Sequence, residues 1–293
     1  MRFGGLRKRA GVPQEPRIPR DAHRFATLAI PWGKRPPRVD LGTANGKRRW
    51  GAAVLISAIM ITGKSAERRK FAQVAIRCFL EQTHAERELV IVNDGAPLLD
   101  GPPDVRLWEI RLPFSPGTTL GDLRNLGLGA ARGELAIQWD DDDWHHPRRM
   151  EVQAAHWSEG AAVLLRQQVR YSIPSATAFV HGRARGIEGT ILHQKRGVLG
   201  YPSERKREDT LFLQQFGQIK IVDAVPTLYV RFFHGANTWD ERHIMGALAD
   251  PASRGKWRLR NEESTALRAI FEKHYREVFS WPGEGALWPA RPA

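Results

Sequence analysis

Between residues 51 and 157, short runs of branched apolar residues alternate with segments of helical period, and this alternation restricts the fold more than any other feature. Residues 53–61 read as a buried parallel strand, the first of the core. Residues 65–82 follow as a helix, because Phe71, Val74, Ala75, Cys78 and Phe79 recur at three- and four-residue spacing. Residues 88–92 make the next strand, which Asn93-Asp94-Gly95 breaks, and residues 105–111 make a third. A helix over 120–131 is expected to stop near Gly133 through a glycine cap. Residues 135–139 form another strand, and Pro147 marks the first turn of a helix that continues over 148–157. This order predicts an α/β fold with a doubly wound, mostly parallel sheet and helices on both faces. Sheets of that kind bind ligands at the carboxyl ends of their strands.

The second half is less regular. Residues 162–171, 176–180, 189–193 and 225–233 are predicted strands, and 204–216 is a predicted helix with Glu208 and Asp209 near its start. An amphipathic helix is expected over 262–275, followed by a tail containing Pro and Trp. The formal net charge of +13 is unevenly spread, since residues 1–50 hold thirteen Lys/Arg against three Asp/Glu and also six prolines. That composition reads as a disordered basic arm, suited to an anionic membrane surface or simply to solvent. Aromatic residues are not interleaved with its cations as base stacking would require, so no specific nucleic acid is expected. The single cysteine, Cys78, rules out an intrachain disulfide and fits a reducing compartment. The longest apolar run, 52–61, is too short to span a bilayer, and no apolar segment follows the N-terminal charges as in a signal peptide.

Gly133-Glu-Leu-Ala-Ile-Gln-Trp-Asp-Asp-Asp-Asp-Trp144 places four adjacent carboxylates where a buried strand ends. Such charges repel one another and are costly beside a low-dielectric core, so a cation is expected among them. If the strand continues, Asp140 and Asp142 share one side and Asp141 points away. Ligation by oxygen alone suits Mg²⁺ or Mn²⁺ rather than Zn²⁺. Asp94 falls at another strand end, so two acidic clusters meet on one rim. Lys64, Arg68 and Arg69 read as an exposed helix face.

Taken in order, the motifs resemble family 2 glycosyltransferases with the GT-A fold. They are Ala-Ile-Met-Ile-Thr62, Cys78-Phe-Leu-Glu-Gln-Thr83, Glu88-Leu-Val-Ile-Val-Asn-Asp-Gly95, Gly121-Asp-Leu-Arg-Asn125, Ala131-Arg-Gly-Glu134 and Gln138-Trp-Asp-Asp-Asp-Asp-Trp144. Glu188-Gly-Thr190, Tyr201-Pro202, Glu208-Asp-Thr210 and His234-Gly-Ala-Asn-Thr-Trp239 follow. The resemblance implies a catalytic domain over 51–240, with 241–293 as a helical extension and tail. It implies that Thr62 and Asp94 contact the nucleotide base and ribose, and that Arg124 lies near the nucleotide or its phosphates. Asp140 would face the ribose, Asp142 would ligate Mn²⁺ or Mg²⁺, and His234 would help hold the metal or diphosphate. Asp209 would be the general base, with Glu208 orienting the acceptor. The implied donor is a nucleotide-diphosphate sugar, a UDP-sugar by default. The implied acceptor is a glycan, lipid-linked or small-molecule hydroxyl, reached in the cytoplasm or at the inner membrane face. Many members carry Pro-Thr-Tyr-Asn-Arg after the first strand, whereas this chain has Ile61-Thr-Gly-Lys-Ser65.

Three other readings compete, one of them a Mg²⁺ phosphohydrolase with an aspartyl nucleophile, which would want Thr or Val soon after the Asp-x-Asp where Trp144 stands. A nucleotidyltransferase that forms nucleotide sugars should have a Gly-rich, cation-bearing loop after the first strand, but residues 60–65 contain only Gly63. A non-catalytic basic nucleic-acid-binding protein would account for the arm but not for the acidic rim.

Overall fold

The computed structural model describes residues 54–63, 65–99, 104–112, 117–246 and 258–279. The basic arm, Lys64 and the Pro/Trp tail beyond 279 lie outside these residues. β1 (Ile56–Thr62), α1 (Ala66–Leu80), β2 (Arg87–Asn93), β3 (Leu107–Arg111), α2 (Leu120–Ala130), β4 (Leu135–Gln138), β5 (Trp144–His145) and α3 (Arg149–Ala155) make up the first half. The second contains β6 (Ala161–Leu165), β7 (Gln167–Ser172), β8 (Thr177–Gly182), β9 (Leu192–Gln194), α4 (Glu208–Phe212), β10 (Gln218–Val222), β11 (Tyr229–Phe233), α5 (Glu241–Met245) and α6 (Asn261–Ile270).

Seven strands form one sheet in the order β10-β6-β9-β4-β1-β2-β3. The expected parallel core is the run β4-β1-β2-β3, with Ile59 beside Val90 and Gln138. β9 departs from that pattern, because it enters antiparallel between β4 and β6. Alternation along each central strand buries both faces, as a doubly covered sheet requires. Ala58, Met60, Leu89, Ile91, Leu135 and Ile137 face α1, while Ile59, Val90, Val92 and Ala136 face the side that holds Leu128 of α2. The result is the mixed, mostly parallel sheet flanked by helices that the GT-A resemblance implies.

The second sheet, β5-β11-β7-β8, was only partly legible. The predicted 162–171 strand breaks at Arg166 into β6 and β7, which belong to different sheets. A strand run through a sheet-to-sheet junction keeps its apolar character, so composition cannot show the break. The first parts of the predicted 189–193 and 225–233 strands are instead 3₁₀ turns, Glu188–Thr190 and Pro226–Leu228. α4 begins four residues later than the 204 start, and Pro147 precedes α3 rather than occupying its first turn. Gly133 does not cap α2, which ends at Ala131 in extended conformation. Its lack of a side chain matters because a Cβ there would lie 2.5 Å from Ser57 Oγ. Leu267, Ile270, Phe271 and Tyr275 pack into the same core as α1 and the second sheet, next to Phe71 and Phe232.

A buried polar clasp fixes the sheet end opposite the aspartates. Glu88 on β2 accepts from Ser57 Oγ at 2.7 Å and from Arg132 Nε at 2.6 Å, and also from the Arg132 backbone. Ser57 Oγ in turn accepts from the Gly133 amide at 2.8 Å. Burial alone would raise the Glu88 carboxyl, but the donors from Arg132 and Ser57 outweigh it and hold it below its ordinary value. A carboxyl depressed on folding contributes stability above its unfolded value of about 4.3 and loses it as pH falls. Glu88→Gln is therefore expected to cost about 3 kcal/mol at pH 7 in urea unfolding. The gap to the wild type should close as pH falls below about 4.

Candidate active site

The carboxyl ends of β1, β2 and β4 open into one cavity, which α2, α4 and β11 close from the sides. Thr62, Asp94, Arg124, Asp140, Asp142, Glu208 and Asp209 all line it. His234 lies just behind, with Nε2 3.2 Å from Asp142 Oδ2. The eight residues singled out in the sequence thus converge, although they span Thr62 to His234.

β4 stops at Gln138, and the four aspartates follow in a turn rather than as strand residues. Strand alternation therefore does not decide their directions. Each carboxylate instead meets a different set of partners. Asp140 Oδ1 accepts from Gln138 Nε2 at 3.1 Å and from Arg124 Nη2 at 3.3 Å, while Oδ2 is 3.3 Å from the Tyr229 hydroxyl. Asp141 is fully buried and held in a fork by Arg68, with Nη2–Oδ1 at 2.7 Å and Nε–Oδ2 at 2.8 Å. Asp142 Oδ2 is met by His234 Nε2, by Asn237 Nδ2 at 3.1 Å and by Arg68 Nη2 at 3.7 Å. Asp143 accepts from Tyr229 Oη and from the Phe232 amide, tying the turn to β11.

These surroundings separate the acids electrostatically. Burial would raise Asp142, but Arg68, then His234 and Arg231, outweigh it and hold the carboxyl at about 2. Burial wins at Asp143, reinforced by Asp142 and Asp140, and lifts that carboxyl well above the ordinary range. Asp141 is also raised by burial, in spite of Arg68. His145, stacked on Trp139 at 3.8 Å, is pushed well below its usual value by burial and then by Arg149, so it stays neutral.

Arg68 corrects the sequence reading. It was expected on a solvated helix face, yet it reaches back from the first turn of α1 to the aspartates. Its neighbour Arg69 instead donates to the carbonyls of Ala96 and Pro97. Spacing along a helix does not reveal that a distant acidic turn lies against that helix end. Tyr229, Arg231, Gln138, Gln168 and Asn237 were also missed as site residues. Tyr229 and Arg231 left one signal, since they alternate with the apolar Val230 and Phe232 on β11.

On the other side, Arg124 bridges Asp140 and Glu208, with Nε–Oε1 at 3.1 Å. Glu208 is only 3% exposed, and burial raises its carboxyl although Arg124 pulls it down. Asp209, next along α4, is half-buried on the cavity wall and accepts from the Thr210 amide through Oδ1 at 2.7 Å. The residue before this pair, Arg207, has φ +67°, a left-handed conformation that costs a non-glycine residue about 1–3 kcal/mol. α2 docks tightly on the loop that leads to it, because a Cβ on Gly121 would meet the Pro202 carbonyl at 1.8 Å.

Among the described residues no three His, Cys, Asp or Glu side chains make a complete metal cage. Asp142 and His234 do offer an ionised carboxylate and an imidazole side by side, with Asp140 on the same cavity. The buried Nδ1 of His234 has no hydrogen-bond partner in the protein. A pair of protein donors completed by substrate oxygens is a common setting for Mg²⁺ or Mn²⁺, so the donor set fits such an ion.

The Arg124–Glu208 pair links α2 to α4 and is nearly excluded from water. Arg124→Met should cost about 3 kcal/mol, because it strands a buried carboxylate. Adding Glu208→Gln should recover more than 1 kcal/mol of that loss in urea unfolding at pH 7. Additive losses would mean that the two side chains are not energetically coupled.

A family model described as Glycosyl transferase family 2 matches residues 57–218. No curated protein sequence matches the chain. Among solved structures, S. aureus TarS aligns with a TM-score of 0.46 at 17% identity, covering 78% of this chain and 46% of that one. The chain therefore spans about half of that TarS chain. TarS 1-349 in complex with UDP-GlcNAc aligns at 0.48 and 16%, and its complex with UDP at 0.45 and 17%. Those two cover 78% of this chain and 76% and 75% of theirs, respectively. With more than half of its 293 residues inside the family match, on the sheet and motifs described above, the chain belongs to glycosyltransferase family 2.

Proposed function

We propose that the protein is a metal-dependent, inverting glycosyltransferase that moves a sugar from a nucleotide-diphosphate sugar, a UDP-sugar by default, to a hydroxyl acceptor. The observation that carries this reading is one cavity lined by two unlike acidic groups. Asp142 is held ionised beside His234, and Asp209 stands on the wall of the same cavity. Thr62 and Asp94 receive the nucleoside at the ends of β1 and β2, and Asp140 faces the ribose. Arg124, already positioned by Asp140 and Glu208, supplies a fixed cation near the nucleotide. Asp142 and His234 are the residues that would hold Mn²⁺ or Mg²⁺. When bound, the ion stabilises negative charge that grows on the departing diphosphate.

The chain's own residues then account for the transfer. Asp209 takes the proton from the acceptor hydroxyl. The acceptor oxygen bonds to the anomeric carbon as the bond from that carbon to the phosphate oxygen breaks, and the electron pair leaves on the diphosphate. A single displacement of this kind inverts the anomeric centre through an oxocarbenium-like state. Glu208 keeps Arg124 and the start of α4 in place, so it serves here as a positioning residue. We assign the catalytic unit to 51–240, with 241–293 as its extension, and the basic segment 1–50 to contact with an anionic membrane face.

A thermal-shift panel of nucleoside diphosphates, with and without Mn²⁺, tests the donor reading. UDP with Mn²⁺ should raise the melting temperature, whereas either alone should have little effect. Asp142→Asn should abolish that joint stabilisation. Asp209→Asn should retain it and lower transfer by at least about 100-fold. A flat response across all nucleotides would overturn the donor class, and unchanged transfer by Asp209→Asn would move the base elsewhere.

A further inference from the structure

The second sheet turns an unusual face toward the cavity. β7 and β11 run parallel with Arg170 beside Arg231, and β8 places His181 beside Gln168. Side chains alternate along each strand, so Gln168, Arg170, Tyr229, Arg231 and His181 share one face. Tyr229 shows that this face meets the aspartate turn, through its contacts to Asp140 and Asp143. The opposite face is apolar and carries Val169, Tyr171, Val230 and Phe232 into the core.

Two features of the polar face call for an acceptor atom. Gln168 is fully buried and lines the cavity, yet neither its amide nitrogen nor its amide oxygen has a hydrogen-bond partner. A buried amide left unpaired keeps its desolvation cost, which a ligand would relieve. Arg231 lines the same cavity, and the carboxylates of Asp143, Asp140 and Asp142 attract its charge, though among the described residues none of them hydrogen-bonds to it. The adjacent Arg170 adds a second buried cation, and like charges side by side on neighbouring strands oppose each other. Burial, then Arg231 and Arg183, lower Arg170 to about 9. The strand order β5-β11-β7-β8 sets Gln168 one strand farther than Arg231 from the aspartate end.

We infer that Arg231 and Gln168 form an oxyanion subsite on the acceptor side of the cavity, for a phosphate or carboxylate carried by the acceptor near its reacting hydroxyl. The inference rests on the glycosyltransferase reading of this cavity and names the acceptor's chemical class. A guanidinium offers paired N–H donors and charge to such an anion, and the Gln168 NH₂ adds a neutral donor. Arg231 faces the aspartates from β11, and Gln168 lies one strand farther from them on β7. Trp239, over which Lys206 sits at 4.8 Å, lines the same cavity and offers an aromatic wall to the rest of the acceptor.

Calorimetric titration of inorganic phosphate and of acetate into the full chain, with and without UDP and Mn²⁺, tests this. At least one anion should bind the wild type, and binding should persist with UDP and Mn²⁺ present. Gln168→Glu, which sets a carboxylate against Arg231, should weaken that binding at least tenfold. Arg231→Lys, which keeps the charge but loses the fork, should weaken it at least threefold. Both variants should melt cooperatively and still bind UDP with Mn²⁺, and if one fails to fold the other carries the test. Absence of anion binding in the wild type, or equal affinity in the variants, would overturn the inference. So would displacement of the anion by UDP and Mn²⁺, which would make this the donor diphosphate site. If UDP does not bind but the anion and variant effects persist, the UDP-sugar donor reading fails and the anion subsite stands.

Discussion

Packing four consecutive carboxylates into one turn, three of them buried, is the constraint on which the site depends. Mutual repulsion and desolvation would unfold the turn unless each acid met its own counter-group. Those groups come from separate parts of the chain: Arg68 from α1, Arg124 from α2, Tyr229 from β11 and His234 with Asn237 from the segment after it. The turn is therefore satisfied only when both sheets and the helices beside them are docked. Folding and assembly of the aspartate turn are in this sense one event.

The same partners give the acids unequal chemistry. Asp142 is held near 2, so it is ionised over the whole useful pH range, while Asp143 is pushed the other way by burial and by its neighbours. One acid is held as an anion, and the other serves as a brace to the Phe232 amide and the Tyr229 hydroxyl. Arg124 carries this organisation across the cavity, because its second partner, Glu208, precedes Asp209 on α4. A strained Arg207 at that helix start is tolerated where the loop is pinned by the close approach of Gly121.

Much of the first half was legible because its signals are local. The branched residues of β1, β2 and β4 and the three- and four-residue spacing of α1 are set by the geometry of the strand and helix themselves. The acids at strand ends were legible for the same reason, since a strand prediction also predicts where its carboxyl end lies. The second half was harder to read. β5 is two residues long and β10 is an edge strand with polar alternation, so neither carries an apolar run to detect. The break at Arg166 is a change of sheet, which leaves no mark in composition.

The sequence by itself determined the parallel core, the position of the acidic rim and, through its ordered motifs, the family to which the protein belongs. Only the tertiary structure decided which aspartate meets which partner. Arg68 lies 73 residues from Asp141, and His234 lies 92 residues from Asp142. Periodicity acts over one or two turns of helix or a few residues of strand, so it cannot report such pairings. The same reason kept Gln168 and Arg231 out of view, because strand alternation tells which residues share a side, while the docking of two sheets decides that this side faces the cavity.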